Sequence, residues 1–148
     1  FDFDFDIVIV GSEGLLGSNL VTSLKKFKIF KIARKNSDLN LDLNSYKKLI
    51  PFFKNHRFKY LINCAGIVNL KLCKKNFKKI KKINSDLPNF LTQMSIKYNF
   101  KLIHISTDHF YKDKVFKLHN EREKIYSINN YSKSKKIAET YVKKTQKI

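Results

Sequence analysis

The stretch that most constrains the fold is Ile7 to Leu20, Ile-Val-Ile-Val-Gly-Ser-Glu-Gly-Leu-Leu-Gly-Ser-Asn-Leu. Four β-branched residues run without a polar break into Gly11-Ser12-Glu13-Gly14-Leu15-Leu16-Gly17, and Leu16, Leu20 and Leu24 then recur at helical spacing. An unbroken apolar run is the pattern of a strand buried on both faces, as parallel strands are. Strand, glycine turn and helix in that order suit a dinucleotide pyrophosphate, which rests on the amides of a helix N-terminus. Gly11 lets the chain turn off the strand, Gly14 lets the backbone approach the phosphates, and Gly17 lets the helix lie close to the sheet. Ser12 to Leu15 are expected to direct free N–H groups at the anion. The spacing is GxxGxxG, a subtype of the general GxGxxG, and tight packing alone is the other reading of such a turn.

Composition narrows the class. A chain of 148 residues suffices for one domain with a core, and 43% hydrophobic with 14% aromatic residues fits a globular protein and argues against disorder. The net charge of +19 invites a nucleic-acid reading. Arg34, Arg57 and Arg122 are the only arginines, however, and lysines scatter from Lys25 to Lys147 without a recognition motif, so nucleic acid is not the expected partner. No apolar run approaches a membrane span, and the acidic start differs from a basic-then-apolar leader, so a cytoplasmic protein without a membrane partner is expected. Cys64 and Cys73 lack metal-ligand spacing and read as reduced thiols, and no metal site is expected. The chain starts at Phe1 instead of Met and reads as processed or partial.

Periodicity orders the rest. Phe and Asp alternate over Phe1 to Asp6 before the first strand. A helix is predicted over Gly14–Phe27, a second strand over Phe27–Ala33 and a short third strand over Leu39–Leu43. Asn44 or Ser45 would cap a helix through Tyr46, Leu49, Ile50 and Phe53, followed by a strand over Lys59–Asn63. A lysine-rich segment from Lys74 to Lys82 leads to Pro88, where a break or kink is predicted, then helix through Phe90, Leu91, Met94 and Tyr98. The fifth strand is Leu102–Ile105, an irregular loop runs from Tyr111 to Ile128, and the last helix runs from Asn130 to the end through Ile137, Ala138, Tyr141 and Val142. Five strands alternating with helices predict an α/β fold with a parallel sheet.

Three places carry potential chemistry. Arg34-Lys35-Asn36 stands at the tip of the second strand, where an acidic residue would hold a ribose 2′-hydroxyl and a basic one meets a 2′-phosphate. That favours NADP(H) over NAD(H), against the plainer reading of a solvated loop. Cys64, Ala65 and Gly66 follow the fourth strand, small enough for a ring or ribose to lie flat, or simply for close packing. Tyr131 and Lys135 share one helix face, and an ammonium beside a phenol favours phenolate, making a general acid for carbonyl reduction. Of the seven tyrosines only Tyr131 has Lys four residues on, although one such pair is expected by accident in so lysine-rich a chain. Thr107 offers a hydroxyl at the carboxyl edge of the sheet, or caps a turn.

Taken together, Gly11-x-x-Gly14-x-x-Gly17, Asn63-Cys64-Ala65-Gly66, Ile83-Asn84, Ser106-Thr107-Asp108 and Tyr131-x-x-x-Lys135 resemble the extended short-chain dehydrogenase/reductases in order and spacing. Within them the chain is most similar to the dTDP-4-dehydrorhamnose reductases and their sugar-nucleotide relatives, chiefly over Leu102 to Lys114 and Tyr131 to Glu139. The resemblance implies a Rossmann fold, a nicotinamide cofactor and a nucleotide-sugar substrate. It implies that Tyr131 protonates the carbonyl oxygen, Thr107 hydrogen-bonds it, and Lys135 holds the nicotinamide ribose and depresses the phenol pKa. Asp42 and Leu43 would lie at the adenine, Cys64 to Gly66 along the cofactor, and Asp108 and His109 toward the substrate, where the family often has Tyr at the His109 position. The family's preference for Mg²⁺ is carried by no residue here. The resemblance covers about the first half of a family member, so a missing C-terminal half or a homodimer partner is expected. An epimerase, an enzyme similar to GDP-fucose synthase, and a non-catalytic cofactor-binding subunit remain open alternatives.

Overall fold

β1 (Phe5–Val10) is the central strand of a five-stranded parallel sheet in the computed structural model, which describes residues 2–111 and 118–144. The strand begins ahead of the apolar run, because the alternating lead-in is itself a seam. The Asp4 carboxylate accepts the Arg57 N–H at 2.7 Å and Asp6 accepts that of Lys28 at 3.0 Å, while the Phe5 ring lies 4.7 Å from Phe30. Acids thus stitch the lower ends of the neighbouring strands and the phenylalanine enters the core.

α1 (Leu15–Ser23) follows the glycine turn and stops short of Phe27, whose N–H instead closes a turn on Leu24 O. Leu20, Val21 and Leu24 cover Ile7, Ile9 and Ile62, but Leu16 is exposed and takes no part in the core. β2 (Ile29–Ala33) pairs with β1, and β3 (Leu39–Asn40) ends sooner than its alternation predicts. The reason is Asp42, whose carboxylate accepts the Asn44 N–H and caps a 3₁₀ segment over Leu43–Leu49. Asp42, and neither Asn44 nor Ser45, is therefore the cap. The segment runs into α2 (Ile50–Asn55), whose Phe52 and Phe53 cover the second face of the sheet with Val8, Val10, Ile32 and Leu61.

After β4 (Phe58–Asn63) come α3 (Leu70–Lys75), α4 (Phe77–Lys81), a wide π turn over Lys82–Asp86 and α5 (Leu87–Tyr98). The break predicted near Pro88 lies before it, as the π turn. Pro88 itself sits in the first turn of α5, where no intrahelical bond needs its missing N–H. β5 (Lys101–His104) pairs with β4, and α6 (Asn130–Lys143) starts on a capping box formed by Asn129 and Ser132. Residues 105–111 and 118–128 carry no helix or strand. Parts of the expected 111–128 loop, of the alternating start and of the final helix, namely 1, 112–117 and 145–148, lie outside the described residues. No helix among the described residues is long and apolar enough to cross a membrane.

The strand order β3-β2-β1-β4-β5, all parallel, is that of a Rossmann-type sheet, and its direction of growth reverses between β1 and β4. The chain packs most tightly at that reversal. Gly11 has φ +84°, and a Cβ there would stand 2.8 Å from the Ala65 amide nitrogen. A Cβ on Gly17 would stand 2.2 Å from Gly11 O, inside any tolerable contact. Gly14 is looser, its would-be Cβ 3.3 Å from Gly11 O at an ordinary φ of −72°. Gly17→Ala is expected to lower stability by about 2 kcal/mol or more in urea unfolding through overpacking against backbone. Gly14→Ala should stay within about 1 kcal/mol of the parent, the difference between two N-cap residues.

Candidate active site

The five parallel strands bring their carboxyl ends to one rim, and the residues singled out in the sequence lie on the loops that leave it and on α6, with unequal engagement. In the glycine turn, Ser12 N–H donates to Ile32 O at 3.3 Å and Gly14 N–H to Gly11 O at 3.1 Å, so two of the amides expected to be free are spent within the chain. Glu13 and Leu15 of the expected set stay open, and Leu16 and Gly17 in the first turn of α1 join them, ahead of the first helical bond from Ser18 N–H to Gly14 O. Ser12 adds a second signal: its hydroxyl is buried with no hydrogen-bond partner. A buried orphan hydroxyl, open helix amides and a backbone bare of Cβ atoms together fit a pyrophosphate.

Beside the turn, Glu13, Arg34 and Lys35 line a cleft of about 370 Å³. Asn36, in the left-handed region at φ 50°, donates through Nδ2 to Glu13 Oε2 at 3.1 Å and ties the β2 tip to the glycine turn. Asp42 is exposed. The Asn44 amide held against it, with the Arg34 charge nearby, keeps its carboxyl below the usual range. Leu43 packs inward against the core cluster. On the β4 side, Cys64 N–H donates to Val10 O at 2.9 Å and Ala65 N–H to Asn63 Oδ1 at 3.2 Å, while Gly66 is exposed. Burial pushes the Cys64 thiol up, away from thiolate.

Tyr131 and Lys135 both lie on the buried face of α6. The Tyr131 ring packs with Cys73 and Ile80, and the His109 ring meets it edge-on, centroids 5.5 Å apart. Lys135, 4% exposed, reaches the exit of β5 and donates to Ile105 O at 2.5 Å. Its burial lowers its pKa to about 8, against an opposing pull from Glu139. Thr107 Oγ1 accepts the His109 N–H at 3.2 Å, capping the turn while its own O–H stays available. Asp108 and His109 are exposed on that turn.

Several participants carried no assigned role in the sequence. Asn84, fully buried on the π turn, accepts the Ile67 N–H at 2.7 Å and donates to Ile67 O at 3.0 Å and to Ser134 Oγ at 3.1 Å. Ser134 Oγ in turn donates to Tyr131 O at 2.7 Å, and Ser85 Oγ donates to Ser134 O at 2.7 Å. Asn84 therefore joins the loop after β4 to the start of α6 and sets where Tyr131 stands. The sequence offered Asn84 as half of the resembling Ile83-Asn84 step, without a role; the signal for one was Asn-Ser set between the apolar Ile83 and Leu87. His104 is the other omission. Asn63 Oδ1 is taken by Ala65 N–H, so Nδ2 faces His104 Nδ1 at 3.2 Å, and Nδ1 must accept. The ring proton then sits on Nε2, which is buried without a partner. Burial, with the Lys135 charge, lowers the His104 pKa to about 3.

Comparison with known proteins matches the geometry. The family model described as RmlD substrate binding domain matches residues 5–148. A hypothetical dTDP-4-dehydrorhamnose reductase from Sulfolobus tokodaii is 27% identical, with a TM-score of 0.80 over 92% of this chain and 51% of its own. The dTDP-4-dehydrorhamnose reductase from Bacillus anthracis, solved with NADP, is 22% identical, with a TM-score of 0.83 over 98% of this chain and 51% of its own. UDP-glucose 4-epimerase from Thermotoga maritima, solved with UDP-glucose, is 22% identical, with a TM-score of 0.81 over 95% and 50%. At such identities the last two establish shared fold alone. The chain spans about half the length of these structures. No curated protein matches the sequence.

Asn84→Ala would strand the Ile67 N–H, leave Ile67 O with only the Cys73 thiol at 3.8 Å and take one donor from Ser134 Oγ, and is expected to cost about 3 kcal/mol in urea unfolding. His104 makes stability depend on pH. Unfolded, a histidine titrates near 6.5 and binds protons that the folded ring refuses until about pH 3. The contribution is complete above pH 6.5 and is lost as pH falls toward 3, by up to about 1.4 kcal/mol per pH unit. His104→Leu should remove that part of the slope, read from urea melts at stepped pH.

Proposed function

The chain belongs to the RmlD substrate binding domain family, and from that membership we propose that it is the cofactor-binding and acid-catalytic part of a nicotinamide-dependent reductase acting on a nucleotide-linked 4-keto-sugar. The observation that carries the reading is the meeting of three strand ends on one rim. Gly11 abuts Ala65 there, Asn84 ties Ile67 to the helix of Tyr131, and Lys135 reaches Ile105.

In this reading the Gly11–Gly17 turn holds the pyrophosphate through the Leu15, Leu16 and Gly17 amides and the Ser12 hydroxyl, with Glu13 bracing the turn through Asn36. Arg34, at the cleft beside it, meets a 2′-phosphate, which favours NADP(H) over NAD(H). Asp42 and Leu43 bound the adenine side, and Cys64, Ala65 and Gly66 offer a low wall along the cofactor. The bound dihydronicotinamide supplies a hydride.

Tyr131 delivers the proton to the carbonyl oxygen as its negative charge develops, and the free Thr107 O–H donates to the same oxygen. Lys135 stands one helical turn from Tyr131 and stabilises the phenolate left behind while holding the ribose. Its charge fades as pH rises through about 8, so the alkaline limb of the pH profile should fall there. Asp108 and His109, exposed on the turn beside Thr107, face the sugar. The remainder of the substrate site comes from a C-terminal half or a second copy of the chain, since the relatives are about twice as long.

The test supplies NADPH and a dTDP-4-keto-sugar and follows NADPH oxidation. Tyr131→Phe is expected to lower kcat by about 10²- to 10⁴-fold while leaving NADPH affinity within about threefold. Turnover by Tyr131→Phe equal to the parent's overturns the acid role. Sugar interconversion without net NADPH consumption would replace the reductase reading with an epimerase.

A further inference from the structure

Two adjacent residues at the exit of β5 are held by two side chains four apart on α6. Lys135 Nζ donates to Ile105 O at 2.5 Å, and Ser106 Oγ donates to Glu139 Oε1 at 2.6 Å. The next residue is Thr107. We propose that Glu139 is a positioning residue: by gripping Ser106 one turn beyond Lys135, it closes a two-point clamp between α6 and the β5 exit that sets Thr107 against Tyr131 and Lys135. The inference rests on the reading above that these three residues act together.

One hydrogen bond between a helix and a strand end leaves a pivot, whereas two, spaced by about 6 Å along the helix axis, remove it. The carboxylate is itself fixed. Lys143, a further turn on, donates to Glu139 Oε2 at 2.7 Å, so each Glu139 oxygen has its own donor. Burial opposes ionisation of Glu139, but the Lys143 and Ser106 hydrogen bonds outweigh it and hold the carboxyl below its usual range.

The carboxylate has a second consequence. The titratable groups around Lys135 are His104 on β5, and on α6 itself Tyr131 one turn before it and Glu139 one turn after it, with Lys143 beyond. From the π turn, the uncharged Asn84 and Ser85 bond to Ser134. His104 stays neutral, so Glu139 is the anion that opposes the burial of the Lys135 ammonium. Clamp and counter-charge are one side chain, and substitutions can separate them. Glu139→Gln keeps an acceptor for Ser106 and removes the charge, while Ser106→Ala removes the grip and keeps the charge.

The experiment follows the Lys135 titration by the NMR shift of its ε-carbon, and amide exchange at Thr107 and Asp108, in the parent, Glu139→Gln and Ser106→Ala. Glu139→Gln should lower the Lys135 midpoint by about one pH unit. Ser106→Ala should leave that midpoint in place and speed exchange at Thr107 and Asp108 by about tenfold. A Lys135 midpoint unmoved in Glu139→Gln, or loop exchange unchanged in Ser106→Ala, overturns the proposal. Should Glu139→Gln fail to fold, Glu139→Asp is read in its place, with the same shift in smaller degree expected. Both readouts are made without substrate, and NADPH binding by the parent is titrated alongside. Loss of the reductase reading and loss of the clamp are therefore seen separately.

Discussion

Everything at the rim depends on one close backbone approach, that of the Gly11 carbonyl to α1 at Gly17 and of the Gly11 α-carbon to the chain at Ala65. The sheet reverses its direction of growth between β1 and β4, so the two loops leaving these strands diverge and leave a crevice between them. Side chains at Gly11 or Gly17 would prop those loops apart. With hydrogen atoms there instead, the first-turn amides of α1 come down to the level of the strand ends. That closeness concentrates the helix N-terminus on the crevice, where its partial positive charge acts before solvent screens it.

The second side of the crevice is built differently, from buried polar groups. α6 presses Tyr131, Ser132, Ser134, Lys135 and Ala138 against the rest of the chain, a face that apolar packing alone would not hold. It is held because nearly every polar atom on it is satisfied, with Asn84 using one oxygen and both amide hydrogens on three acceptors and donors. In a low-dielectric setting such a network tolerates few alternative arrangements, since any shift strands a group at a cost of 1–3 kcal/mol or so. The network therefore fixes the helix in register and orientation more sharply than oil-like contacts could. Against that background, the unpaired Ser12 hydroxyl and His104 Nε2 stand out, one at each side of the rim.

Charge plays a local role despite the large excess of lysine. Most lysines are exposed, while Lys135 is buried beside a neutral histidine and one carboxylate. Arg34 and Lys35 line a cleft beside the glycine turn. Elsewhere the sheet ends in β5 among the described residues, with Tyr60 and Ile103 exposed on the face that α1 covers only over β1 and its neighbours.

The strands, their order of appearance and the glycine turn were legible in the sequence, because runs such as Ile7–Val10 and Lys59–Asn63 are short-range statements about burial. Motif spacing named Thr107, Tyr131 and Lys135 as candidates, and of these the fold sets Tyr131 and Lys135 on one buried face of α6. The ends of elements were less legible: α1 stops at Ser23 and β3 at Asn40 because Leu24 and Asp42 form local hydrogen bonds that periodicity does not encode. Which amides of the turn remain open, and which polar residues brace α6, were decided only in three dimensions. Asn84 and Ser134 are 50 positions apart, as Ser106 and Glu139 are 33 apart, and hydrogen bonds between such residues exist only once the sheet has brought its strand ends together. A sequence sets burial and turn preference residue by residue, whereas a buried polar contact is a property of two distant segments meeting at a fixed angle, and only the folded chain supplies that angle.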